Sequence, residues 1–438
     1  MVKNRVDIIT LGCSKNLVDS ERLMAQFRRL GYEVYHDSSD VKGAVVVVNT
    51  CGFIGDAKEE SVNMILELAA AKKRRKIGRL FVMGCLSERY ARELREEIRE
   101  VDAFYGKFDW PGILRELGQE FDDATGDERI LTTPAHYAYL KIGEGCSRTC
   151  SYCAIPIITG KYRSRRFEDI VAEAKSLVAK GVKEIQLIAQ DLTFYGIDLY
   201  KENRLAELID ALASIEGLRW LRLHYAYPAH FPYDILPVMR RHANVCAYLD
   251  IALQHISDNM LRLMRRNVTK AETYALLKRI REEVPGIHIR TTLLVGHPGE
   301  TEEDFEELKE FVSEMRFERL GTFAYSDEEG TYANINYKDD VPDDVKQARL
   351  EEIMTLQEAV AEEIGAEKVG RVMTVVIDRE EDDFYVGRTE YDSPEVDGEV
   401  LIDKSMELMP GEFYKVRITG SEMYDLYAEP IGVALVDE

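Results

Sequence analysis

The hydrophobic residues of the first 130 positions form short apolar runs that alternate with amphipathic stretches. Apolar residues at helical spacing predict helices at Ser20–Leu30 and Ala57–Lys72. Strands that alternate with helices pair in parallel and carry helices on both faces, so the segment predicts a flavodoxin-like parallel sheet of strand order 2-1-3-4. The predicted strands are Val6–Leu11, Val34–Tyr35, Ala44–Val48 and Leu80–Met83.

The alternation continues through residues 131–342, where six more apolar runs occur. Six β/α units predict an open, partial (β/α)6 barrel, whose chemistry would lie at the carboxyl ends of the strands. A polar break at Asp122–Asp127 predicts a linker between the two α/β segments. The six predicted strands are Ala138–Ile142, Glu184–Ala189, Trp220–Tyr225, Tyr248–Leu253, His288–Val295 and Gly321–Tyr325.

The last hundred residues have a different pattern. A charged helical stretch over 343–369 leads to short runs rich in Val, Ile and Tyr, which turn residues separate. This pattern predicts a small antiparallel β-barrel over 370–438. The chain is therefore predicted to be an α/β protein with domains at 1–130, 131–342 and 370–438, the last joined by a helical linker.

The composition is typical of a globular protein of the cytoplasm. The first residues, MVKNRVDIITLGC, lack a secretory signal, and no apolar run approaches the roughly 20 residues that span a bilayer, so no membrane partner is expected. In the cytoplasm thiols stay reduced, so the seven cysteines favour ligands, catalytic groups or buried small residues over disulfides. The formal net charge of −23 argues against a partner that is held by its phosphates.

Three cysteines, here called the loop cysteines, follow the first barrel strand in Cys146-Ser-Arg-Thr-Cys150-Ser-Tyr-Cys153. Three thiolates on one loop can hold three irons of a cubane iron–sulfur cluster and leave the fourth iron open. An open iron can chelate S-adenosylmethionine and pass an electron to its sulfonium, and the CxxxCxxC spacing with Tyr152 before the last cysteine is typical of that chemistry. A zinc site would require a fourth ligand, and His136 is a poor candidate across a strand.

Three other cysteines, here called the sheet cysteines, are Cys13, Cys51 and Cys85. Each ends an apolar strand, in the phrases LGC, NTC and MGC, and the carboxyl ends of parallel strands lie at one edge of the sheet. In the order 2-1-3-4 the three strands are neighbours about 4.8 Å apart, so their thiolates can converge. One such cysteine is explained as a small buried residue, but three at equivalent positions predict a second cluster.

Further candidates lie at the predicted carboxyl edge of the barrel. Gln190 and Asp191 end the second barrel strand, and Gln254 and His255 end the fourth. If the barrel prediction holds, all four face the catalytic end. For His255, a structural role and a contact to substrate are both open.

The phrase Gly296-His-Pro-Gly-Glu300 closes the fifth barrel strand and has two interpretations. Its glycines allow close backbone approach to a ligand. An ordinary strand-to-helix turn would instead place Glu300 in a first helical turn, where the helix dipole favours an acid. Elsewhere, Cys246 leads into a strand and is interpreted as a buried hydrophobic residue.

These motifs resemble the methylthiotransferase family across nearly the whole chain. That family combines an N-terminal domain with three cysteines, a radical S-adenosylmethionine partial barrel and a C-terminal TRAM domain. The chain is most similar to the branch that modifies a ribosomal protein, and it departs at Ala252, where proline is expected. The similar phrases are EGCSRTCSYCAIP, AQDLTFYG at 189–196, HYAYP at 224–228, YLDIALQH at 248–255, VGHPGETEEDF at 295–305, AYSDEEGT at 324–331 and VGRTEYDSPEVDGEV.

The resemblance implies a reaction and its cofactors. A [4Fe–4S] cluster on the loop cysteines would cleave S-adenosylmethionine to a deoxyadenosyl radical, which removes hydrogen from the β-carbon of an aspartate in small-subunit ribosomal protein twelve. A second [4Fe–4S] cluster on the sheet cysteines would carry the methylated sulfur that the substrate takes up. An electron donor such as flavodoxin or ferredoxin and a sulfur donor are also expected. The residues expected to contact S-adenosylmethionine are Tyr152, Gln190, Asp191, Gln254, Gly296 and Glu300.

Two alternatives remain, the family branch that modifies an adenosine of tRNA and a non-catalytic iron–sulfur carrier. Residues 371–438 hold 18 acidic and 6 basic residues, and this net charge of −12 is about half of the total. A domain that binds tRNA should be basic, whereas a basic ribosomal protein is attracted to an acidic surface. The charge distribution therefore favours the ribosomal protein as partner and argues against tRNA.

Overall fold

The computed structural model describes residues 2–121 and 128–433, so the linker predicted at Asp122–Asp127 lies outside the described residues. The strands form a five-stranded parallel sheet, a six-stranded parallel sheet, a closed five-stranded barrel and a two-stranded ribbon. The predicted fold class, two α/β units followed by a small β-barrel, is confirmed.

The N-terminal sheet contains the four predicted strands and one more. Its elements are β1 (Val2–Thr10), α1 (Ser14–Arg29), β2 (Glu33–His36), β3 (Gly43–Thr50), α2 (Gly55–Lys73), β4 (Arg79–Gly84), α3 (Cys85–Glu97), β5 (Ala103–Phe104) and α4 (Pro111–Glu116). The order is β2-β1-β3-β4-β5 with every pair parallel, so the predicted order 2-1-3-4 is confirmed. Strand β5 was not predicted, because two residues are too few to show a periodicity.

Alternate residues of the central strand β3 face the two helical layers. Val46 shares a buried cluster with Ile65 of α2, and Val47 shares another with Phe27 of α1. All four side chains are fully buried. Since burying a side chain of this size contributes roughly 1.5–3 kcal/mol, these two layers give the carboxyl edge of the sheet a firm support.

The middle sheet contains the six predicted barrel strands. Its elements are β6 (Tyr137–Lys141), β7 (Gly143–Glu144), α5 (Ile155–Thr159), β8 (Arg163–Ser164), α6 (Phe167–Ala179), β9 (Glu184–Ile188), α7 (Ile197–Tyr200), α8 (Leu205–Ala213), β10 (Trp220–Ala226), α9 (Ile235–Arg241), β11 (Val245–Gln254), α10 (Asp258–Leu263), α11 (Lys270–Glu283), β12 (His288–Val295), α12 (Glu302–Met315), β13 (Arg319–Ala324) and α13 (Tyr332–Asn336). Six strands are parallel in the order β13-β12-β11-β10-β9-β6. The sheet is open between β13 and β6, as a partial barrel requires.

A long helix, α14 (Asp343–Ala366), leads to the C-terminal barrel. The barrel strands are β14 (Val372–Glu380), β15 (Tyr385–Thr389), β16 (Val400–Ile402), β17 (Phe413–Glu422) and β18 (Asp425–Val433). Four of the five pairings are antiparallel, but β16 pairs with β18 in parallel, which corrects the expectation of a wholly antiparallel barrel. Within the described residues, no helix has both the length and the apolar character that crossing a membrane requires.

The C-terminal barrel closes the amino ends of the middle sheet through buried charges. The Glu184 carboxylate, at the start of β9, accepts hydrogen bonds from Arg222 at 3.0 Å and from Arg388 of β15 at 2.8 Å. Arg388 also donates to Asp378 of β14 at 2.6 Å. The side chains of Glu184, Arg222 and Arg388 are at most 3% exposed. The two units are therefore joined by buried ion pairs. If one partner were removed, water could not reach the remaining charge to solvate it.

The loop between β15 and β16 makes further polar contacts to the middle sheet. Asp392 is paired with Arg319 at 2.5 Å, and Asp397 accepts a hydrogen bond from the Tyr248 hydroxyl at 2.8 Å. Glu395 accepts one from the Tyr137 hydroxyl at 2.9 Å. Three acids of the strongly acidic C-terminal segment thus face the middle sheet. A truncation that removed residues 371–438 would expose these partners, so it is not a clean test of substrate docking.

The N-terminal sheet covers the open side of the middle sheet through helix α1. Val18 of α1 shares a buried cluster with Tyr139 of β6 and Ile188 of β9. At the next position of the helix, the Asp19 carboxylate binds Lys141 of β6 at 2.5 Å and Lys107 of the N-terminal unit at 2.6 Å. An apolar seam and a buried ion triplet therefore fix how the two sheets meet.

The charges at the base of the middle sheet lead to a stability prediction. Arg388→Met leaves the buried Glu184 and the partly buried Asp378 with one partner fewer each, which should cost about 3–5 kcal/mol. Arg379→Met is the matched control on β14, because its carboxylate partners Glu381 and Glu399 are exposed and such pairs contribute about 0–1 kcal/mol. Urea unfolding of both variants would measure the two losses, and equal losses would contradict the role given to Glu184.

Candidate metal and cofactor centre

The loop cysteines lie on a compact turn between β7 and α5. The Cys146 amide donates to the Gly160 carbonyl at 3.1 Å, and the Cys153 amide donates to the Cys150 carbonyl at 3.3 Å. Gly145 has a left-handed φ of +80°, and a Cβ there would lie 2.4 Å from the Lys161 carbonyl oxygen, so only glycine fits. All three thiols are free. The short spacing and this glycine-dependent turn together place three sulfur donors on one loop.

Arg266 is the cation of this turn. Its guanidinium donates to the Cys150 sulfur at 3.3 Å and to the Tyr152 hydroxyl at 3.2 Å, and it also donates to the Ala252 carbonyl. It lies 4.2 Å from the ring centroid of Tyr227. A cation beside a thiol favours the thiolate, which is the form that binds metal. Sequence reasoning missed Arg266, since it lies 116 residues from Cys150 and no local pattern marks it.

The other two loop cysteines are in apolar surroundings. Burial raises the pKa of the Cys146 thiol to about 12, and burial raises that of Cys153 further. Without a metal these two thiols keep their protons at neutral pH. Metal binding must displace those protons, so the affinity of this turn for a metal increases with pH.

The sheet cysteines follow three neighbouring strands at one edge of the N-terminal sheet. Cys13 follows β1, Cys51 follows β3, and Cys85 begins α3 directly after β4. The backbones approach closely: Gly12 has φ +88°, and a Cβ there would lie 2.7 Å from the Cys51 Cβ. Gly84 has φ +102° and has no room for a side chain either. The sheet therefore brings the three predicted residues together, as the strand order required.

Two polar residues surround the sheet cysteines. The Asn16 side chain donates to the Thr50 carbonyl at 3.1 Å, and its oxygen lies 3.8 Å from the Cys85 sulfur. The same oxygen accepts a hydrogen bond from the Lys107 ammonium at 2.7 Å. Asn16 thus links the cysteine-bearing edge to the ion triplet at Asp19, and sequence reasoning did not find it.

The three sheet thiols differ in their electrostatic surroundings. Burial raises the pKa of Cys85 to about 12 and also raises that of Cys51. The protein around Cys13 raises its pKa too, but the charges of Lys15 and Lys107 outweigh that effect and hold the pKa below its ordinary value. Cys13, which is the exposed member of the set, is therefore the thiol that deprotonates most easily.

The donor set fits cubane clusters better than single ions. Among residues 2–121 and 128–433, no three His, Cys, Asp or Glu side chains are arranged to hold one metal ion. A tetrahedral zinc with bonds of about 2.3 Å would draw its sulfurs within about 4 Å of one another, whereas a cubane holds its cysteines on separate irons. His136, the one zinc ligand considered, is hydrogen-bonded to Asp378 at 2.7 Å.

The two sets of cysteines lie close together. Cys85 packs in one buried cluster with Ala154 and Ile158, and Ala154 directly follows the loop cysteine Cys153. On the same side, Arg89 of α3 donates to the Gly52 carbonyl at 3.0 Å and to the Glu328 carboxylate at 2.8 Å. The carboxyl edges of the two sheets therefore face each other, which the sequence did not predict.

The residues expected to contact S-adenosylmethionine lie at the same end of the barrel. The side-chain oxygen of Gln190 is buried without a hydrogen-bond partner in the described residues, so it is an acceptor free for a ligand. Asp191 is held by Arg148 at 2.6 Å and by the Thr193 amide at 3.0 Å. Gln254 has a left-handed φ of +73°, a strained conformation for a residue other than glycine and one that is frequent at functional sites.

Glu300 has internal partners for both of its carboxylate oxygens. It accepts hydrogen bonds from His255 at 3.1 Å, from the Gly296 amide at 2.6 Å and from Arg349 at 2.7 Å. His255 is fully buried by this contact. The geometry supports the interpretation of this phrase as a strand-to-helix turn and a structural role for His255. Helix α12 begins at Glu302 with Thr301 as its N-cap, however, so Glu300 precedes the first helical turn in which that interpretation placed it. Cys246, also fully buried, lies among apolar and aromatic side chains as predicted.

Three family profiles match the chain, each on a different one of the main sheets. The profile of an uncharacterized protein family, UPF0004, matches residues 5–106. The Radical SAM superfamily profile matches residues 140–312, and the TRAM domain profile matches residues 369–431.

Proteins with the name ribosomal protein uS12 methylthiotransferase RimO are similar to the chain over nearly its whole length. The protein from Parabacteroides distasonis is 62% identical over 429 residues, and the protein from Porphyromonas gingivalis is 64% identical over 430. Both comparisons cover 98% of this chain and 99% of the relative. The protein from Flavobacterium johnsoniae is 55% identical over 98% of each chain.

Solved structures with similar folds are more distant. The radical S-adenosylmethionine methyltransferase TsrM from Kitasatospora setae matches with a TM-score of 0.53 at 16% identity, over 73% of this chain and 72% of that chain. The cobalamin-dependent S-adenosylmethionine radical enzyme OxsB matches with a TM-score of 0.52 at 11% identity, over 81% of this chain and 56% of that chain. At these identities the likeness concerns the fold alone.

The turn at Gly296 leads to a second stability prediction. Gly296 has φ +73°, and a Cβ there would lie 2.3 Å from the Lys346 Cγ, whereas Gly286 has φ +81° and open space around it. Gly286→Ala should cost about 1–2 kcal/mol for its left-handed backbone, and Gly296→Ala should cost about 1–3 kcal/mol more for the crowding. Urea unfolding of both variants would check this, and a Gly296→Ala loss no larger than that of Gly286→Ala would contradict it.

Proposed function

This chain belongs to the family of the ribosomal protein uS12 methylthiotransferases RimO, and we propose that it adds a methylthio group to the β-carbon of an aspartate in ribosomal protein uS12. It is a radical S-adenosylmethionine enzyme of the methylthiotransferase class. The observation that carries the proposal is that the two three-cysteine sets lie close together, because Cys85 packs against Ala154 beside Cys153. A transfer of sulfur to a substrate radical requires both centres to be within reach of one carbon atom.

The cofactors are S-adenosylmethionine and iron–sulfur clusters, and we propose that the clusters number two. The loop cysteines would hold one [4Fe–4S] cluster and the sheet cysteines the other. When bound, the first supplies the electron that cleaves S-adenosylmethionine and the second supplies sulfur for transfer. The protein holds the three cysteines of each set on rigid turns and places Arg266 beside Cys150. It also excludes water through the packing around Cys85.

The contacts proposed for S-adenosylmethionine differ in their support. The unpartnered oxygen of Gln190 and the strained backbone of Gln254 support these two as ligand contacts. Tyr152 is partly buried with its hydroxyl held by Arg266, so it would position the loop cysteines. Asp191 is oriented by Arg148 at the cleft, and Gly296 would allow close backbone approach while Glu300 holds its turn.

The partner proteins follow from the reaction and from charge. The reaction needs an electron donor, such as flavodoxin or ferredoxin, and a sulfur donor. A basic ribosomal protein would be attracted by the exposed acids of the C-terminal unit. Because Asp392, Glu395 and Asp397 face the middle sheet, the charge available for docking is smaller than −12. The exposed run Glu380–Asp383 is the part that we propose uS12 meets.

We propose four segments for the chain. They are an N-terminal methylthiotransferase domain at 1–130, a radical S-adenosylmethionine barrel at 131–342, a helical linker at 343–369 and a TRAM domain at 370–438. Mass spectrometry of uS12 after incubation with reduced enzyme and S-adenosylmethionine should show one methylthio group on an aspartate. A modified adenosine in tRNA and unmodified uS12 would contradict the proposal, and so would the absence of deoxyadenosine.

Iron analysis tests the assignment of the two sets. The anaerobically reconstituted enzyme should hold about eight irons, as two cubanes. Replacing the three loop cysteines by alanine should leave about half of the iron and abolish deoxyadenosine formation. Replacing the three sheet cysteines should also leave about half of the iron but permit cleavage of S-adenosylmethionine. Full iron content in the second variant would refute the second cluster.

Cys246 is the matched control for these replacements. It is fully buried next to Trp220 and Tyr248, far along the chain from both sets. Cys246→Ala should retain all of the iron and the turnover, with a cost of at most a few kcal/mol in stability. Loss of a cluster in the folded Cys246→Ala protein would show that a ligand has been misassigned.

The docking of uS12 should depend on salt. If long-range attraction drives association, its rate should fall as the Debye length shortens from about 10 Å at 0.1 M to about 3 Å at 1 M salt. Glu380 and Glu381 are paired with Lys404 and Arg379, so the double variant Asp382→Asn/Asp383→Asn is the cleaner change and should mainly slow association. Stopped-flow mixing with uS12 measures this.

A control and a contrary result are both available for the docking experiment. Glu93→Gln/Glu97→Gln removes two exposed acids from helix α3, outside the C-terminal unit, and should change the association rate less. An association rate that does not change with salt would refute electrostatic docking. Tight, selective binding of tRNA in the same assay would contradict the substrate.

A further inference from the structure

One lysine beside the sheet cysteines has no acidic partner. Lys15 lies in the first turn of α1, two residues after Cys13, and is only 7% exposed. Its ammonium lies 3.4 Å from the ring centroid of Tyr225, and in the described part of the chain no carboxylate forms an ion pair with it. The other two buried lysines of this region, Lys107 and Lys141, both bind Asp19.

The acid whose charge acts on Lys15, Asp250, is engaged elsewhere. Its carboxylate lies 3.8 Å from His224 and 3.6 Å from Arg290. An ammonium has three N–H donors, and an aromatic face satisfies a cation only in part. Lys15 is therefore a buried cation that has Tyr225 as its partner and no carboxylate paired with it among the described residues.

The Lys15 side chain keeps a small exposed fraction, 7% of its surface. Tyr225, the ring beneath it, ends strand β10 with a strained left-handed φ of +63°. The strained residue sits at the catalytic end of the barrel, so a ligand that enters the cleft can reach Lys15.

The location of Lys15 connects the two centres. It lies two residues after Cys13, which is the N-cap of helix α1. Its partner ring comes from the barrel that carries the loop cysteines. A substrate carbon that must approach both centres would pass this position, and an unpaired cation there selects an anionic group next to that carbon.

We propose that the Lys15 ammonium binds the side-chain carboxylate of the substrate aspartate. The inference rests on the proposed function and adds the group that recognises the reacting residue. The β-carbon of an aspartate is bonded directly to its carboxylate carbon, so a salt bridge to Lys15 fixes the β-carbon near Cys13. An asparagine at the same place carries no charge, so the enzyme discriminates between these two side chains of equal size.

The competing role for Lys15 is to neutralise the thiolates of the sheet cysteines. Lys107 already stands at that centre, where it binds Asn16 beside Cys85. A neutralising Lys15 would affect iron content and leave substrate discrimination unchanged. A carboxylate-binding Lys15 would do the reverse.

The test is a binding cycle with cluster-loaded enzyme and two forms of uS12. One form carries the aspartate that the wild-type enzyme modifies, and the other carries asparagine there. Wild-type enzyme should bind the aspartate form about tenfold to a hundredfold more tightly, the range expected for a charged hydrogen bond. Lys15→Met should lose this difference and keep its iron. Lys161→Met, which removes an exposed lysine after α5, should weaken both forms equally and keep the difference.

Each result decides a separate question. Equal binding of the two forms by wild-type enzyme overturns the inference without any variant, as does a Lys15→Met enzyme that still discriminates. If Lys15→Met loses iron, Lys15→Arg keeps the charge and should restore both iron and discrimination; restoration of iron alone assigns Lys15 to the cluster. If the wild-type enzyme binds the aspartate form more tightly than the asparagine form but adds no methylthio group to uS12, the proposed reaction is refuted. The recognition of the carboxylate by Lys15 would then still be supported.

Discussion

The relative position of the two cysteine sets depends on one buried carboxylate. Asp19 of α1 binds Lys107 from the N-terminal unit and Lys141 from the first barrel strand. Burial raises the pKa of Asp19, but the two ammonium groups outweigh it and hold the pKa below its ordinary value, so the carboxylate stays charged. If Asp19 were neutral, two buried cations would lose their shared anion. The free-energy cost of that loss is far larger than the cost of breaking an exposed ion pair. The ion triplet thus locks helix α1 between the sheets and holds the sheet cysteines over the loop cysteines.

A second set of buried charges gives the C-terminal barrel a structural as well as an electrostatic function. Glu184 at the base of the middle sheet is shared by Arg222 and Arg388, and Arg319 is paired with Asp392. These pairs are deep in the protein, where the penalty for removing one partner is several times that for an exposed pair. The acidity of residues 371–438 therefore has two components. Part of it joins the barrel to the middle sheet, and only the exposed part is available to a basic partner.

Helix α1 shows why part of the site escaped prediction. Apolar spacing predicted the helix from Ser20, but it begins at Ser14. The first turns carry Asn16 and Asp19, which are buried against polar partners, and Lys15, which lies over the ring of Tyr225. A helix that buries polar groups shows no apolar periodicity, so its start was missed together with the residues that join the two centres. Arg266 was missed for a related reason, since its contact to Cys150 joins residues far apart in the chain.

The sequence by itself determined the elements and the positions of the two sets of cysteines. Alternating apolar runs predicted nearly every strand, and the order 2-1-3-4 placed the sheet cysteines on one edge, because both follow from local periodicity and from the rules of parallel sheets. The close spacing of the loop cysteines likewise needs no tertiary information. Only the tertiary structure decided that the two edges face each other, that Lys15 has no acid beside it and that the C-terminal acids are partly buried. Such facts depend on which surfaces meet after folding, and pairs of residues over a hundred positions apart leave no pattern in the order of the chain.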